Sequence, residues 1–99
     1  MLTINKTNKD EALHFELNGR LDATTSPDLE AAVRESLDDA DKMVFDLAEL
    51  EYISSAGLRV FLMTQKNMVK KGGLLIKNAG PEIMEIFDLT GFSDVLDIE

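Results

Sequence analysis

Ser54 and Ser55 stand where an apolar, strand-like run ending at Ile53 meets an apolar, helix-like run beginning near Ala56. A serine hydroxyl at such a junction offers two kinds of chemistry. It can cap the helix, accepting from a first-turn backbone N–H that has no partner inside the helix. It can also carry a phosphate, because the same N–H groups and the positive end of the helix dipole favour negative charge there. The segment Tyr52-Ile53-Ser54-Ser55-Ala56-Gly57-Leu58-Arg59-Val60-Phe61 reads first as an ordinary cap, the common use of such a serine, and second as a phosphorylation switch. The rest of the chain has to decide.

Other chemistry finds no residues to carry it. A serine hydrolase needs a base beside its nucleophile, usually a histidine held by a carboxylate. The single histidine, His14, falls inside an early strand and reads as a strand residue. Ser55 lacks the Gly-x-Ser-x-Gly frame of a nucleophile elbow. No Gly-x-x-x-x-Gly-Lys-Ser/Thr phosphate loop is present. Asp38, Asp39 and Asp41 fit no EF-hand spacing and read as a solvated helix end. With no cysteine, thiolate catalysis, disulfides and cysteine-ligated metals are excluded. The five methionines sit at apolar positions and read as core filler. The residues point to no enzyme, no catalytic residue, no cofactor and no metal.

The elements that must position the serine pair follow from periodicity. Leu2 to Lys6 and Ala12 to Leu17 alternate apolar and polar, which predicts two strands, with Asn8-Lys9-Asp10 as the hairpin turn. Gly19 is expected to end the second strand, and Leu21-Asp22 to start a loop. Thr25-Ser26-Pro27 predicts a helix start, with Ser26 as N-cap and Pro27 as the first helical residue. Its apolar stripe is Leu29, Val33 and Leu37, with Ala32 beside it. Met43 to Leu47 predicts a short strand buried on both faces by helices. The next helix is expected from about Ala56 to Lys70, with a stripe of Leu58, Phe61, Leu62, Gln65 and Val69, stopped by Gly72-Gly73. Leu74 to Ile76 predicts a strand, Gly80-Pro81-Glu82 opens a third helix, and Val95 to Ile98 predicts a last strand. The order β-β-α-β-α-β-α-β implies an α/β fold with a mixed, mostly parallel sheet and right-handed crossovers.

Size and charge bound the role. The 99 residues suffice for one core, so residues 1–99 are expected to form a single domain. No apolar run approaches the ~20 residues that span a bilayer, and no signal region follows Met1. A cytoplasmic protein without direct membrane insertion is expected. The net charge of −9 argues against nucleic acid and anionic membrane as partners. The only basic cluster, Lys66, Lys70 and Lys71, lies near a helix end, where cations complement the dipole.

Gly19-Arg20-Leu21-Asp22, Phe45-Asp46-Leu47, Tyr52-Ile53-Ser54-Ser55-Ala56-Gly57-Leu58, Gly72-Gly73 and Phe87-Asp88-Leu89-Thr90-Gly91-Phe92 occur in this order along nearly the whole chain. Together they resemble the STAS domain family, the fold of bacterial anti-sigma-factor antagonists and of the cytoplasmic tails of sulfate transporters. The resemblance implies the same β-β-α-β-α-β-α-β fold, often with one further C-terminal helix that this chain lacks or keeps very short. It also implies partner switching. Such an antagonist binds an anti-sigma factor that is also a serine kinase, freeing a sigma factor. The kinase, which brings ATP and magnesium, then phosphorylates one serine of the antagonist, and a metal-dependent serine phosphatase resets it. The family's acceptor stands two positions before the motif glycine, which selects Ser55 here, with Ser54 as second choice. Many members carry an aspartate just before the acceptor, where this chain has Ser54. The resemblance makes Asp22, Thr24 and Thr25 candidate partner contacts beside Ser54 and Ser55, although Asp22 also fits a turn residue bonding its own backbone. In the first helical turn Leu58 reads as core, and Arg59 as the surface candidate. A monomer is expected. The alternative reading is a non-phosphorylated STAS subunit of a membrane transporter or signalling scaffold, in which the serine only caps the helix.

Overall fold

Alternation builds the sheet, and its interruptions shape it. The computed structural model describes residues 1–99. Strand β1 (Leu2–Lys9) pairs antiparallel with β2 (Ala12–Leu21) through a tight turn at Asp10 and Glu11, both at positive φ. Two such residues in succession match the twist of a two-residue hairpin, so the turn lies slightly later than Asn8-Lys9-Asp10. Then follow α1 (Ser26–Ser36), β3 (Met43–Ile53), α2 (Ser55–Met68), β4 (Leu74–Lys77), α3 (Pro81–Thr90), a short 3-10 turn (Phe92–Asp94) and β5 (Asp97–Ile98). The sheet order is β1-β2-β3-β4-β5, with every pair after the hairpin parallel. The α/β class, the mixed sheet and the element order agree with the sequence reading.

Because the strands advance in one direction across the sheet, right-handed crossovers place the connecting helices on one face. The buried apolar residues of all three helices accordingly join Phe15, Leu17, Phe45, Leu47 and Ile76 in one core of 21 residues. Four fully buried phenylalanines carry the contact from sheet to helices. Phe15 meets Phe45 edge-on at 5.6 Å, Phe45 meets Phe61 of α2 at 4.9 Å, and Phe61 meets Phe87 of α3 at 6.2 Å. These separations lie within the favourable range for aromatic pairs. The opposite face presents Glu16, Asn18 and Arg20 to solvent. The expected helix cover on both faces of Met43 to Leu47 is therefore wrong. Val44 is buried on that open face, with His14 and Leu75 beside it in register.

Five further features differ from the sequence reading. Strand β3 runs on to Ile53 because two register shifts against β2 each add a residue. Its inward residues Phe45, Leu47, Leu50 and Ile53 are thus spaced by two and then three, which breaks the alternation that marks a strand. Gly19 does not end β2. It sits within the strand at φ +112, where a Cβ would lie 2.2 Å from the Met1 carbonyl oxygen. Only glycine holds that conformation without strain. At α1, Thr25 rather than Ser26 occupies the N-cap position, and Ser26 is buried, donating through Oγ to the Asp22 carbonyl at 2.6 Å. In α2 the stripe continues to Met68, not Val69, which is 66% exposed. Two turns of 3.6 residues on from Phe61 lead to Met68. Val95 and Leu96 precede the last strand, which spans Asp97–Ile98 alone.

Gly57 governs how α2 meets the sheet. A Cβ there would stand 2.8 Å from the Leu21 side chain and 2.9 Å from that of Ile53, both buried. A Gly57→Val substitution is therefore expected to lower stability by about 1–3 kcal/mol through overpacking. Urea denaturation reads this directly; an unshifted midpoint would show that the helix start does not press on the strand ends.

Candidate functional site

The site forms at the carboxyl ends of β2 and β3, the edge of a parallel sheet where α/β proteins place their ligand contacts. Leu21 and Ile53 are register partners, and the Ser54 N–H donates to the Leu21 carbonyl at 2.9 Å. This bond brings the loop after β2 against the start of α2. Asp22, Thr24, Thr25, Ser54 and Ser55 come from segments some thirty residues apart and are set side by side through this one pairing.

The two serines have different tasks. Ser54 holds extended backbone, φ −98 and ψ 177, and its Oγ accepts from the Gly57 N–H at 3.4 Å. Its carbonyl accepts the first helical bond, from Leu58 at 2.9 Å. Ser54 is the N-cap. Ser55 is the first residue of α2, exposed, and its hydroxyl makes no hydrogen bond to the protein. Its position leaves it beside unpaired helix N–H groups and the positive end of the dipole.

Across from it, Asp22 organises a tight loop. Its Oδ1 accepts from the Thr24 hydroxyl at 2.7 Å, the Thr24 N–H at 3.0 Å and the Thr25 N–H at 3.2 Å. The Thr25 hydroxyl donates to the Arg20 carbonyl at 2.9 Å and accepts from the Asp22 N–H at 2.9 Å. Asp22 thus bonds its own turn, while Thr25 is buried beneath it. The Thr24 hydroxyl, followed by the backbone N–H groups, holds the Asp22 carboxyl below its ordinary value. A depressed carboxyl favours the folded state above its unfolded value near 3.9, and that contribution fades as pH falls through the lower folded value. The loop therefore carries its charge fully at neutral pH.

Leu58 is 5% exposed and belongs to the core, as expected. Arg59 is exposed and borders a shallow groove between α1 and α2, whose floor includes Pro27, Ala56, Val60 and Met63. On the α1 side Arg34 is already paired with Glu30 at 2.9 Å. Sequence reasoning did not single out the pairing of Arg20 with Tyr52. The Arg20 guanidinium lies 4.4 Å from the Tyr52 ring centre because a register shift sets the two residues opposite each other. Nothing in the residue order announces that shift. His14 pairs with Thr7 and Val44 in the first half of β2. It stands seven residues before Leu21, roughly 23 Å along the strand, and so is no base for Ser55. No three His, Cys, Asp or Glu residues are grouped to hold a metal ion, and no helix is long and apolar enough to cross a membrane.

The STAS domain profile matches residues 3–99 of this chain. The chain belongs to the STAS domain family. It is 33% identical to BtrV of Bordetella bronchiseptica over 84 residues, covering 83% of this chain and 72% of that one. It is 29% identical to the anti-sigma-B factor antagonist of Bacillus subtilis over 94 residues, covering 94% of this chain and 85% of the relative. Among solved structures, the anti-sigma factor antagonist of Mycobacterium paratuberculosis superposes with a TM-score of 0.91 at 25% identity, over 99% of this chain and 85% of the other. The STAS membership suggested by the ordered motifs is thus established, and the STAS fold accounts for the element order.

The division between cap and free hydroxyl is directly measurable. Ser54→Ala is expected to cost about 0.5–1 kcal/mol, the lower part of the range for a lost N-cap. Ser55→Ala is expected to stay within about 0.5 kcal/mol of the parent, as exposed substitutions do. Thermal and urea unfolding of the two variants check this, and a larger loss at Ser55 than at Ser54 would reverse the assignment.

Proposed function

We propose that this STAS domain, acting as one unit over residues 1–99, is an anti-sigma-factor antagonist in a partner-switching module of the cytoplasm. It binds an anti-sigma factor that is also a serine kinase, frees a sigma factor, and is inactivated by phosphorylation on Ser55. The observation that carries the reading is the free, exposed Ser55 hydroxyl beside a separate capping serine. A serine needed as the cap would have to give up a structural bond when modified; Ser55 gives up none. The names of the Bacillus subtilis and Mycobacterium paratuberculosis relatives supply the partner class.

In the transfer step the Ser55 oxygen attacks the γ-phosphorus of ATP bound to the kinase. The new Oγ–P bond forms as the bond to the β-phosphate oxygen breaks, and ADP leaves. The hydroxyl proton passes to a base on the kinase. This chain is the substrate in that step, not the catalyst. A serine phosphatase returns Ser55 to the free hydroxyl by transferring the phosphoryl group to water.

Phosphate adds about −1.5 to −2 charges and three strong acceptors. At the start of α2 the fold tolerates them. The face shared with the Asp22 loop does not stay the same, because Asp22 already holds a carboxylate there. Added to a net charge of −9, the new charge opposes an acidic or closely packed partner surface. Asp22, Thr24, Ser54 and Arg59 form the remainder of the proposed contact surface, and the buried Thr25, expected there from the sequence, supports it from beneath.

The test titrates the parent, Ser55→Ala and Ser55→Asp proteins into the ATPase-fold serine kinase encoded nearest to this chain, by calorimetry, and then adds ATP. Ser55→Ala is expected to bind like the parent and to take up no phosphate. Ser55→Asp is expected to bind about 5- to 150-fold more weakly, the usual range for coupled sites. Equal binding by all three proteins, with no phosphate entering even the parent, would favour the non-phosphorylated transporter or scaffold subunit instead, and phosphate still entering Ser55→Ala would move the acceptor to Ser54.

A further inference from the structure

We propose that Arg59 receives the phosphate of Ser55 within the same helix, so that phosphorylation withdraws a guanidinium from the partner-facing surface as well as adding charge. The inference rests on Ser55 being the acceptor.

The geometry is that of a helix face. Ser55 and Arg59 are four residues apart on α2, both exposed, and so lie about 40° apart round the helix. Side chains at this spacing meet, and the arrangement with the anion N-terminal to the cation is the favourable one. From Ser54 the same arginine is five residues on, about 140° round, and out of reach along the helix face. The guanidinium fork matches two phosphate oxygens at once, which no lysine does.

Arg59 is also uncommitted. The ion pairs of the protein are Arg34 with Glu30 and Lys77 with Glu99, and neither involves it. Glu30 borders the same groove, but its carboxylate is held by Arg34. No ion pair or hydrogen bond joins Arg59 to Asp22, whose Oδ1 is occupied by Thr24 and Thr25. Of the other cations, Arg34 borders the same groove but is paired with Glu30. Arg20 stacks on Tyr52 on the open side of the sheet, and Lys66, Lys70 and Lys71 lie in or beyond the last turns of α2. In the unmodified protein Arg59 is thus free to donate to an acidic group of the partner. In the phosphorylated protein the intrahelical phosphate claims it first. The switch has two arms, added negative charge and a lost donor, and both act in the same direction.

The test uses the full chain with phosphoserine installed at position 55 during synthesis, so that no kinase is involved. Phosphorus NMR titration then gives the second pKa of the phosphate. Pairing with Arg59 favours the dianion, so this pKa is expected to lie roughly 0.2–0.4 unit lower in the parent than in Arg59→Gln. Phosphoserine at position 54 is expected to show no dependence on Arg59. The same pKa in the parent and in Arg59→Gln, or an equal dependence at both serines, would overturn the pairing. Neither result bears on whether a kinase modifies Ser55, and a kinase that ignores Ser55 leaves this chemistry measurable.

Discussion

The close approach of α2 to the ends of β2 and β3 is the constraint on which the rest depends. It exists because Gly57 has no Cβ, leaving its place to Leu21 and Ile53. The approach does three things at once. It seals the end of the core where both strands finish. It turns the Ser54 N–H onto the Leu21 carbonyl, which fixes the start of the helix. It also sets the exposed Ser55 beside the Asp22 turn. A bulkier residue at position 57 would push the helix outward and separate the two halves of the site. The glycine is thus a packing requirement first, and its functional consequence follows from the packing.

One-sided cover leaves one edge of this small domain open for the proposed partner surface. With all helices on one face, the phenylalanine chain from Phe15 to Phe87 supplies a continuous core. The strand ends and helix starts then remain open at one edge of the molecule. Modification at that edge leaves the core untouched, because Ser55 contributes nothing to it. A switch of this kind changes what the surface offers a partner without changing the fold that presents it. The Asp22 loop is rigid at this edge, since its Oδ1 is held by Thr24 and Thr25 rather than free to reorient.

Much of this was legible in the residues. The element order came from periodicity and from Gly and Pro positions, and the STAS resemblance is what singles out Ser55 as the proposed acceptor. What the residues concealed has physical causes. The second half of β3 was hidden because two bulges replace a period of two with a period near three, mimicking loop or helix. The end of the α2 stripe was misplaced by one residue, since Val69 is as apolar as Met68 but faces water once the helix ends. Ser26 resembled a cap by type, yet its hydroxyl is spent on the Asp22 carbonyl. Two adjacent serines are equivalent on paper. Only the backbone, extended at Ser54 and helical at Ser55, separates the cap from the free hydroxyl. Asp22 was ambiguous for a similar reason, because turn formation and exposure on the site are compatible, and the structure displays both.

The central claim is that Ser55 carries a regulatory phosphate while Ser54 holds the helix. Intact mass with site mapping, on protein taken from its native cells across growth conditions, tests this most directly. The account predicts a fraction of molecules heavier by one phosphate, located on Ser55. Phosphate on Ser54, or none under any condition, would contradict it.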